Sequence, residues 1–130
     1  MAAPAFGTII LVPFPFTDQS AAKQRPAVVV SSSAYHRARQ DLILMPITSQ
    51  LRVNAFGDLL VQDWQAARLL MPSAIKPVLA TLAQSLVIKP LGALSARDQA
   101  ALKALIPKLT ISLRLLIAFS ILDFFHKAQI

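Results

Sequence analysis

Short apolar runs, separated by prolines and polar segments, make up the first two thirds of the chain. Four runs have the β-branched and aliphatic composition that is typical of strands: residues 7–14, 26–33, 41–47 and 58–61. A longer segment, residues 73–89, contains further β-compatible pieces, which we expect to break at Pro77 and to be closed by Pro90. The pattern therefore predicts a sheet of short strands that continues to about Leu94.

The pattern changes to a helical period after the predicted sheet. Ser95 is followed three residues later by Asp98, which resembles a capping box, and apolar residues then recur at helical spacing until Pro107. The spacing predicts a helix over residues 95–106. Beyond Pro107 the pattern is mixed, and polar residues at helical spacing favour a second helix from about residue 112 onward.

Strands followed by helices predict a mainly β fold with terminal helices. The length of 130 residues favours a single domain, in which residues 6–94 form a small antiparallel barrel or curled sheet. Residues 111–130 form an apolar carboxy-terminal extension. We expect this extension to be buried against the barrel or a second subunit, because an exposed helix of that composition would aggregate.

Composition removes several classes of chemistry. The chain is 55% hydrophobic and 15% charged, which excludes disorder, and it has no cysteine for a disulfide, a thiolate nucleophile or a zinc knuckle. Its two histidines, His36 and His126, lie far apart without a carboxylate cluster near either of them. We therefore expect neither a metal site nor a cofactor.

Charge and hydropathy indicate a partner and a compartment. The formal net charge of +7 favours a polyanionic partner. The apolar amino-terminal segment lacks a basic region and is interrupted by Pro13 and Pro15, unlike a signal peptide. The apolar tract 109–125 is broken by Arg114 and Asp123, so it falls short of the roughly 20 residues that span a bilayer. We expect a cytoplasmic protein without a membrane partner.

The remaining candidate chemistry rests on arginine, hydroxyls and backbone amides, which together suit an anionic phosphate. Arg25 lies where the polar segment 17–24 enters a strand, and Thr48 and Ser49 lie where the strand 41–47 ends. These side chains could meet across neighbouring strands. An arginine at a strand end is also commonly solvated, and Thr-Ser commonly forms a turn, so both interpretations stay open on the residues alone.

Five segments, in their order along the chain, resemble the PemK-like branch of the MazF/PemK family of toxin endoribonucleases. They are GTIILVPFPFTD (7–18), KQRPAVVV (23–30), DLILMPITS (41–49), the residues Asp58, Trp64, Leu69-Leu70 and Pro72-Ser73, and LGALS with Asp98 (91–98). The resemblance covers residues 6–109. It implies an SH3-like barrel with a carboxy-terminal helix, and a cytoplasmic homodimer that cleaves single-stranded RNA without a metal. It also implies a cognate antitoxin, together with which the toxin would bind DNA.

The resemblance assigns roles to particular residues. Arg25 in its Arg-Pro motif matches the catalytic arginine of the family, Thr48 matches the catalytic threonine, and Ser49 is the adjacent hydroxyl. The implied reaction is attack of a ribose 2′-hydroxyl on the neighbouring phosphorus, which leaves a 2′,3′-cyclic phosphate and a 5′-hydroxyl. Further RNA contacts are expected from the side chains of Lys23, Gln24, Arg52 and Phe56, the last as a stacking group.

Two departures and two alternatives accompany this hypothesis. Thr8 stands where an Asp commonly follows the first Gly, and Arg68 stands where the family commonly has Gly. A non-catalytic SH3-like module that binds nucleic acid or protein would have a similar charge, as would a toxin homologue without catalysis. Because Arg25 and Thr48 are both present, the toxin is the favoured interpretation. Trp64 is expected to pack in the fold rather than to stack on a base.

Overall fold

The computed structural model describes residues 3–14, 23–51 and 56–110. Within them lie seven strands, two α-helices and one 3₁₀ turn at Gln84–Leu86. In chain order the elements are β1 (Thr8–Pro13), β2 (Gln24–Val29), α1 (Ser33–Ala38), β3 (Asp41–Thr48), β4 (Leu59–Leu60), β5 (Ala74–Ile75), β6 (Ala80–Ala83), β7 (Lys89–Ala93) and α2 (Ala96–Leu109).

The strands form one antiparallel sheet whose order is β4-β5-β3-β2-β1-β7, with β6 paired to β3 beside that path. β3 is the branch point of the sheet. Its amino-terminal half pairs with β6, whereas Ile47 and Thr48 at its carboxyl end pair with β5. The predicted mainly β class with a carboxy-terminal helix is thereby confirmed.

Of the two predicted arrangements, a small barrel or a curled sheet, the described strands form a sheet that is not closed into a barrel. β4 and β7 are the two ends of the hydrogen-bonded path and do not pair with each other. β4 has only two residues. The turn that follows it packs against β7 through a backbone contact instead of strand pairing. A Cβ on Gly92 would lie 2.3 Å from the Ala67 carbonyl oxygen, so the backbones touch only because residue 92 is glycine.

This close approach predicts that Gly92→Ala destabilises the fold. The added methyl cannot fit against a backbone carbonyl, so the turn or β7 must shift, at a cost of about 1–3 kcal/mol. Urea unfolding measures the loss, with Ala93→Ser at the next, exposed position of β7 as the matched control. An unchanged unfolding midpoint for Gly92→Ala would contradict the contact.

Two buried clusters lie on opposite faces of the central strands. Val28 belongs to the first cluster while its neighbours Ala27 and Val29 belong to the second, as expected from the alternation of side chains along a strand. The first cluster is covered by α2 through buried Leu102. The second cluster is formed by Ile10, Val12, Ala27, Val29, Leu42 and Leu44.

Two prolines do not end the elements that they were expected to end. Pro90 lies inside β7, where it pairs with Ile10 beside a register shift at the outer strand of the described sheet, and such a position does not need the missing N–H. α2, which was predicted to end at residue 106, continues to Leu109 and contains Pro107. Leu109 packs against the first cluster, which stabilises the last turn beyond the proline.

The second predicted strand is shorter than expected. β2 ends at Val29, and α1 begins at Ser33, because the Ser32 Oγ accepts a hydrogen bond from the backbone N–H of Tyr35 at 3.1 Å and caps the helix. The extension 111–130 and most of the segment 17–24 lie outside the described residues. No helix in the described part of the chain combines enough length and apolar character to cross a bilayer.

Candidate active site

Arg25 and Thr48 lie on neighbouring strands of the sheet. β2 and β3 pair antiparallel, with Ala27 opposite Pro46 and Val29 opposite Leu44. The pairs end at Ala27 and Pro46, and the same register continued two residues beyond them would set Arg25 opposite Thr48. Side chains directly opposite each other in an antiparallel pair share a face, with Cβ atoms about 4.5–5.5 Å apart. The register of the two strands thus sets on one face of the sheet two side chains that are separated along the sequence by α1.

Arg25 is exposed near the start of β2, and its other strand neighbour is Val12 of β1. The ion pairs among the described residues join Arg39 to Asp41 and Arg97 to Asp63, so none of them engages Arg25. A guanidinium in this state presents a planar fork of N–H donors, which matches the oxygens of a phosphate. Arg25 is thus available to an anionic ligand.

Thr48 is half-buried at the carboxyl end of β3, where it pairs with Ala74. Its Oγ1 accepts a hydrogen bond from the backbone N–H of Gln50 at 3.0 Å. This contact occupies an oxygen lone pair and leaves the hydroxyl proton free to be donated. Ser49, the next residue, is exposed. The hydroxyl of Thr48 is therefore held in place as a donor on the face that carries Arg25.

Three of the other predicted RNA contacts, Lys23, Gln24 and Phe56, belong to the described residues. Lys23 and Gln24 are exposed at the entry to β2, directly before Arg25. Phe56 is 83% exposed between β3 and β4, and no strand pairing of the described residues joins it to Arg25. Arg52 lies outside the described residues. Lys23 and Gln24 thus lie next to Arg25 along the chain, whereas the position of Phe56 relative to the pair does not follow from the strand pairing.

Lys76 is a further cation on this face of the sheet, and the sequence analysis did not single it out. It follows β5, and its backbone N–H donates to the Pro46 carbonyl at 2.9 Å, which continues the pairing of β5 with β3. By that register its side chain shares the face of Thr48, on the side away from Arg25. The available signal was the Lys-Pro pair that ends an apolar run, but the pairing of that run with β3 is not readable from the sequence.

The carboxylates near the helix start form a separate structural network. Asp98 is 2% exposed, and its oxygens accept the backbone N–H groups of Gln62 at 3.0 Å and Asp63 at 2.8 Å. Hydrogen bonds from Arg97 and then from Ser95 lower the pKa of Asp63 to about 2. Asp98 and Asp63 thus fasten the turn after β4 to α2, and they are engaged in that role rather than available as acid or base.

The same holds for the polar residues around α1. The Ser31 Oγ accepts the Ile43 N–H at 3.1 Å and is hydrogen-bonded to the His36 ring. The pKa of Asp41 is lowered, chiefly by the hydrogen bond from the Tyr35 hydroxyl. Within residues 3–14, 23–51 and 56–110, no three His, Asp or Glu side chains are grouped so that they could hold a metal ion. Trp64 packs against the first buried cluster, as expected.

Comparison with known proteins gives a family and a set of similar folds. The family model described as PemK-like, MazF-like toxin of type II toxin-antitoxin system matches residues 5–110. Among solved structures, the Mycobacterium tuberculosis toxin MazF-mt6 has a TM-score of 0.64 at 18% identity, covering 78% of this chain and 94% of that chain. No curated relative matches at a significant level.

Two structures solved with an antitoxin are also similar. A MazE-MazF complex from Deinococcus radiodurans has a TM-score of 0.65 at 16% identity, covering 84% of this chain and 96% of that chain. A mycobacterial endoribonuclease in complex with its cognate antitoxin has a TM-score of 0.65 at 15% identity, covering 84% and 94%. At such identities the likeness shows the fold alone.

Proposed function

Because the chain belongs to the family of PemK-like, MazF-like toxins of type II toxin-antitoxin systems, we propose that it is an endoribonuclease that cleaves single-stranded mRNA without a metal and without the ribosome. The observation that carries the proposal is the register of β2 with β3, which, continued two residues beyond the pair Ala27 and Pro46, sets Arg25 opposite Thr48. One side chain is a cation without a described partner, and the other is a hydroxyl held as a donor. Together they form a site for a phosphodiester.

In the proposed reaction the ribose 2′-hydroxyl of the RNA gives up its proton to water and attacks the adjacent phosphorus. The bond to the 5′ oxygen of the next nucleotide breaks, and that oxygen takes a proton from water. The products are a 2′,3′-cyclic phosphate and a 5′-hydroxyl end. Negative charge grows on the non-bridging oxygens in the transition state, and the N–H groups of Arg25 stabilise it. Arg25 acts electrostatically rather than as a base, because a guanidinium offers N–H donors and no acceptor. The Thr48 hydroxyl donates a hydrogen bond to another phosphate oxygen, with Ser49 beside it.

The surrounding cations hold the RNA strand. Lys76 lies on the opposite flank of Thr48 from Arg25, where it neutralises a neighbouring phosphate. Lys23, Gln24 and Arg52 extend the contacts along the backbone, and Phe56 offers an exposed ring for a base. Contacts of this kind make binding strongly dependent on salt, because each neutralised phosphate releases counterions.

The assembly proposed for this toxin is a cytoplasmic homodimer that is neutralised by a cognate antitoxin and binds DNA together with it. Similar folds have been solved in complexes with antitoxins, which supports an antitoxin partner. The net charge of +7 would attract an acidic segment of such a partner and increase its association rate at low salt.

Incubation of the purified chain with a long single-stranded RNA in EDTA tests the proposal. We expect discrete fragments, because the site uses an arginine and a hydroxyl in place of a metal. RNA that is retarded in a gel but stays intact would identify a non-catalytic binding module or a homologue without catalysis. Loss of cleavage in EDTA, restored by added Mg²⁺, would contradict the mechanism.

A further inference from the structure

Arg68 adopts a backbone conformation that suits glycine. Its φ is 65°, the only positive value at a non-glycine position among the described residues. Its N–H donates to the Gln65 carbonyl, and the Leu69 N–H donates to the Trp64 carbonyl, both at 3.0 Å. These two bonds define a Schellman motif, in which the residue after the last helical position is usually glycine. Arg68 therefore occupies the left-handed position of a helical turn.

The Cβ of this arginine lies against Gly92 of β7, but the described residues give its charged group no partner. Its guanidinium forms no hydrogen bond or ion pair with any residue of the described ranges. A side chain in the left-handed region also costs free energy that glycine does not. For stability alone glycine would serve better at position 68, so the arginine side chain points to a role outside the fold.

The residues that follow Arg68 are apolar and exposed on a fixed backbone. Leu70 is 98% exposed and Met71 is 52% exposed. The Schellman motif holds one end of this segment, and the Ser73 hydroxyl holds the other by donating to the Met71 carbonyl at 2.8 Å. Buried Leu69 anchors the middle. Arginine and methionine are enriched at protein interfaces, and a fixed backbone lowers the entropy cost of binding.

We propose that Arg68, Leu70 and Met71 form a docking ridge for an acidic segment of the antitoxin. The inference rests on the proposed function in that it takes the antitoxin as the partner. Arg68 pairs with a carboxylate of that segment, and Leu70 and Met71 contact an apolar side chain next to it. The exposed aliphatic surface favours a protein over RNA, because RNA recognition uses aromatic stacking and phosphate contacts.

Charge complementarity favours an acidic partner over a second copy of this chain. The described carboxylates are almost all engaged: Asp41 pairs with Arg39, Asp63 pairs with Arg97, and Asp98 is buried. Of the carboxylates in the described ranges, only that of Asp58 forms neither a hydrogen bond nor an ion pair. A second copy, with a net charge of +7, thus offers few free carboxylates to pair with Arg68. An acidic segment supplies such carboxylates directly.

The test uses Arg68→Gly and Leu70→Ser, with Arg37→Ala and Leu86→Ser as controls for an exposed arginine and an exposed leucine elsewhere. The probe is a short labelled peptide of Asp, Glu and Leu, compared with versions in which Asn and Gln replace the acids or Ser replaces Leu. Fluorescence anisotropy gives the affinity, and thermal unfolding gives the stability.

We expect each ridge variant to weaken binding of the acidic peptide about tenfold or more, while the controls bind as the wild type does. Arg68→Gly should at the same time raise the Tm, because glycine relieves the left-handed position. Unchanged affinity in both ridge variants would overturn the ridge, as would a wild type that binds the acidic and neutral peptides equally.

Assays of RNA cleavage and of oligomeric state test whether RNA or a second copy of the chain binds this surface instead. A ridge variant that alters RNA cleavage or the oligomeric state but not peptide affinity would assign the surface to RNA or to a second copy, and would overturn the proposal. If the wild type does not cleave RNA but its peptide binding still depends on Arg68 and Leu70, the ridge stands and only the nuclease proposal fails.

Discussion

Arg25→Ala should lower the rate of RNA cleavage by about 10²–10³-fold, the usual cost of one preorganised donor to a developing oxyanion. The guanidinium is the cation closest in register to Thr48, and it has no competing ion pair in the described part of the chain. Because Arg25 is exposed, its removal should leave the Tm near that of the wild type. Initial rates on a labelled RNA, measured in EDTA, check the expected loss.

The conservative variants separate charge from geometry. Arg25→Lys keeps the charge but loses the planar fork, so its rate should lie between those of the wild type and Arg25→Ala. Thr48→Ala should cost less than Arg25→Ala, because a neutral donor is lost. Arg37→Ala removes an equally exposed arginine from α1 and should cleave at the wild-type rate. Cleavage by Arg25→Ala as fast as by the wild type would remove this arginine from the mechanism.

Asp98→Asn should destabilise the fold by about 1–3 kcal/mol for each backbone donor left unpaired. The buried carboxylate accepts two backbone N–H groups from the turn after β4, and an amide can accept at only one of its two terminal atoms. The amide nitrogen of the asparagine would then face one of the two backbone N–H groups, and neither of these can accept a hydrogen bond from the other. The free energy of unfolding in urea measures the loss, with Asp58→Asn as the control for an unengaged carboxylate.

RNA cleavage gives a second readout for Asp98. The residue lies in the network that joins the turn to α2, and neither Arg25 nor Thr48 belongs to that network. Well below its unfolding temperature, Asp98→Asn should therefore cleave RNA at a rate close to that of the wild type. Equal stability of Asp98→Asn and the wild type would show that the buried carboxylate contributes nothing to the fold.

Local signals in the sequence predicted the elements that carry the site. Apolar runs located β2 and β3, although Arg25 and Thr48 fell just outside the predicted strands 26–33 and 41–47, and Ser95 with Asp98 marked the start of α2. The same signals failed where tertiary packing decides the outcome. Pro107 lies inside a helix because the apolar residues around it pack on the core, and Pro90 lies inside β7 because its strand is the outer one of the described sheet.

Long-range pairing was not readable from local patterns. The capping role of Asp98 was visible three residues from Ser95, but its bonds to Gln62 and Asp63 join parts of the chain that only the fold brings together. Lys76 was missed for the same reason, since its place beside Thr48 depends on the pairing of β5 with β3. For Arg68 the sequence revealed that an arginine replaces the glycine common in the family. Only the structure showed that the backbone there keeps the conformation suited to glycine.

The chemical nature of the two ends at each cut tests the central claim most directly. Wild-type protein in EDTA should leave only 2′,3′-cyclic phosphate and 5′-hydroxyl ends, because the attacking group is the 2′-hydroxyl next to the phosphate that Arg25 and Thr48 hold. Arg25→Ala, assayed at the same concentration, should leave almost none. Fragments that carry 3′-hydroxyl and 5′-phosphate ends, formed only when a divalent metal is present, would instead require attack by a metal-activated water and would contradict the account.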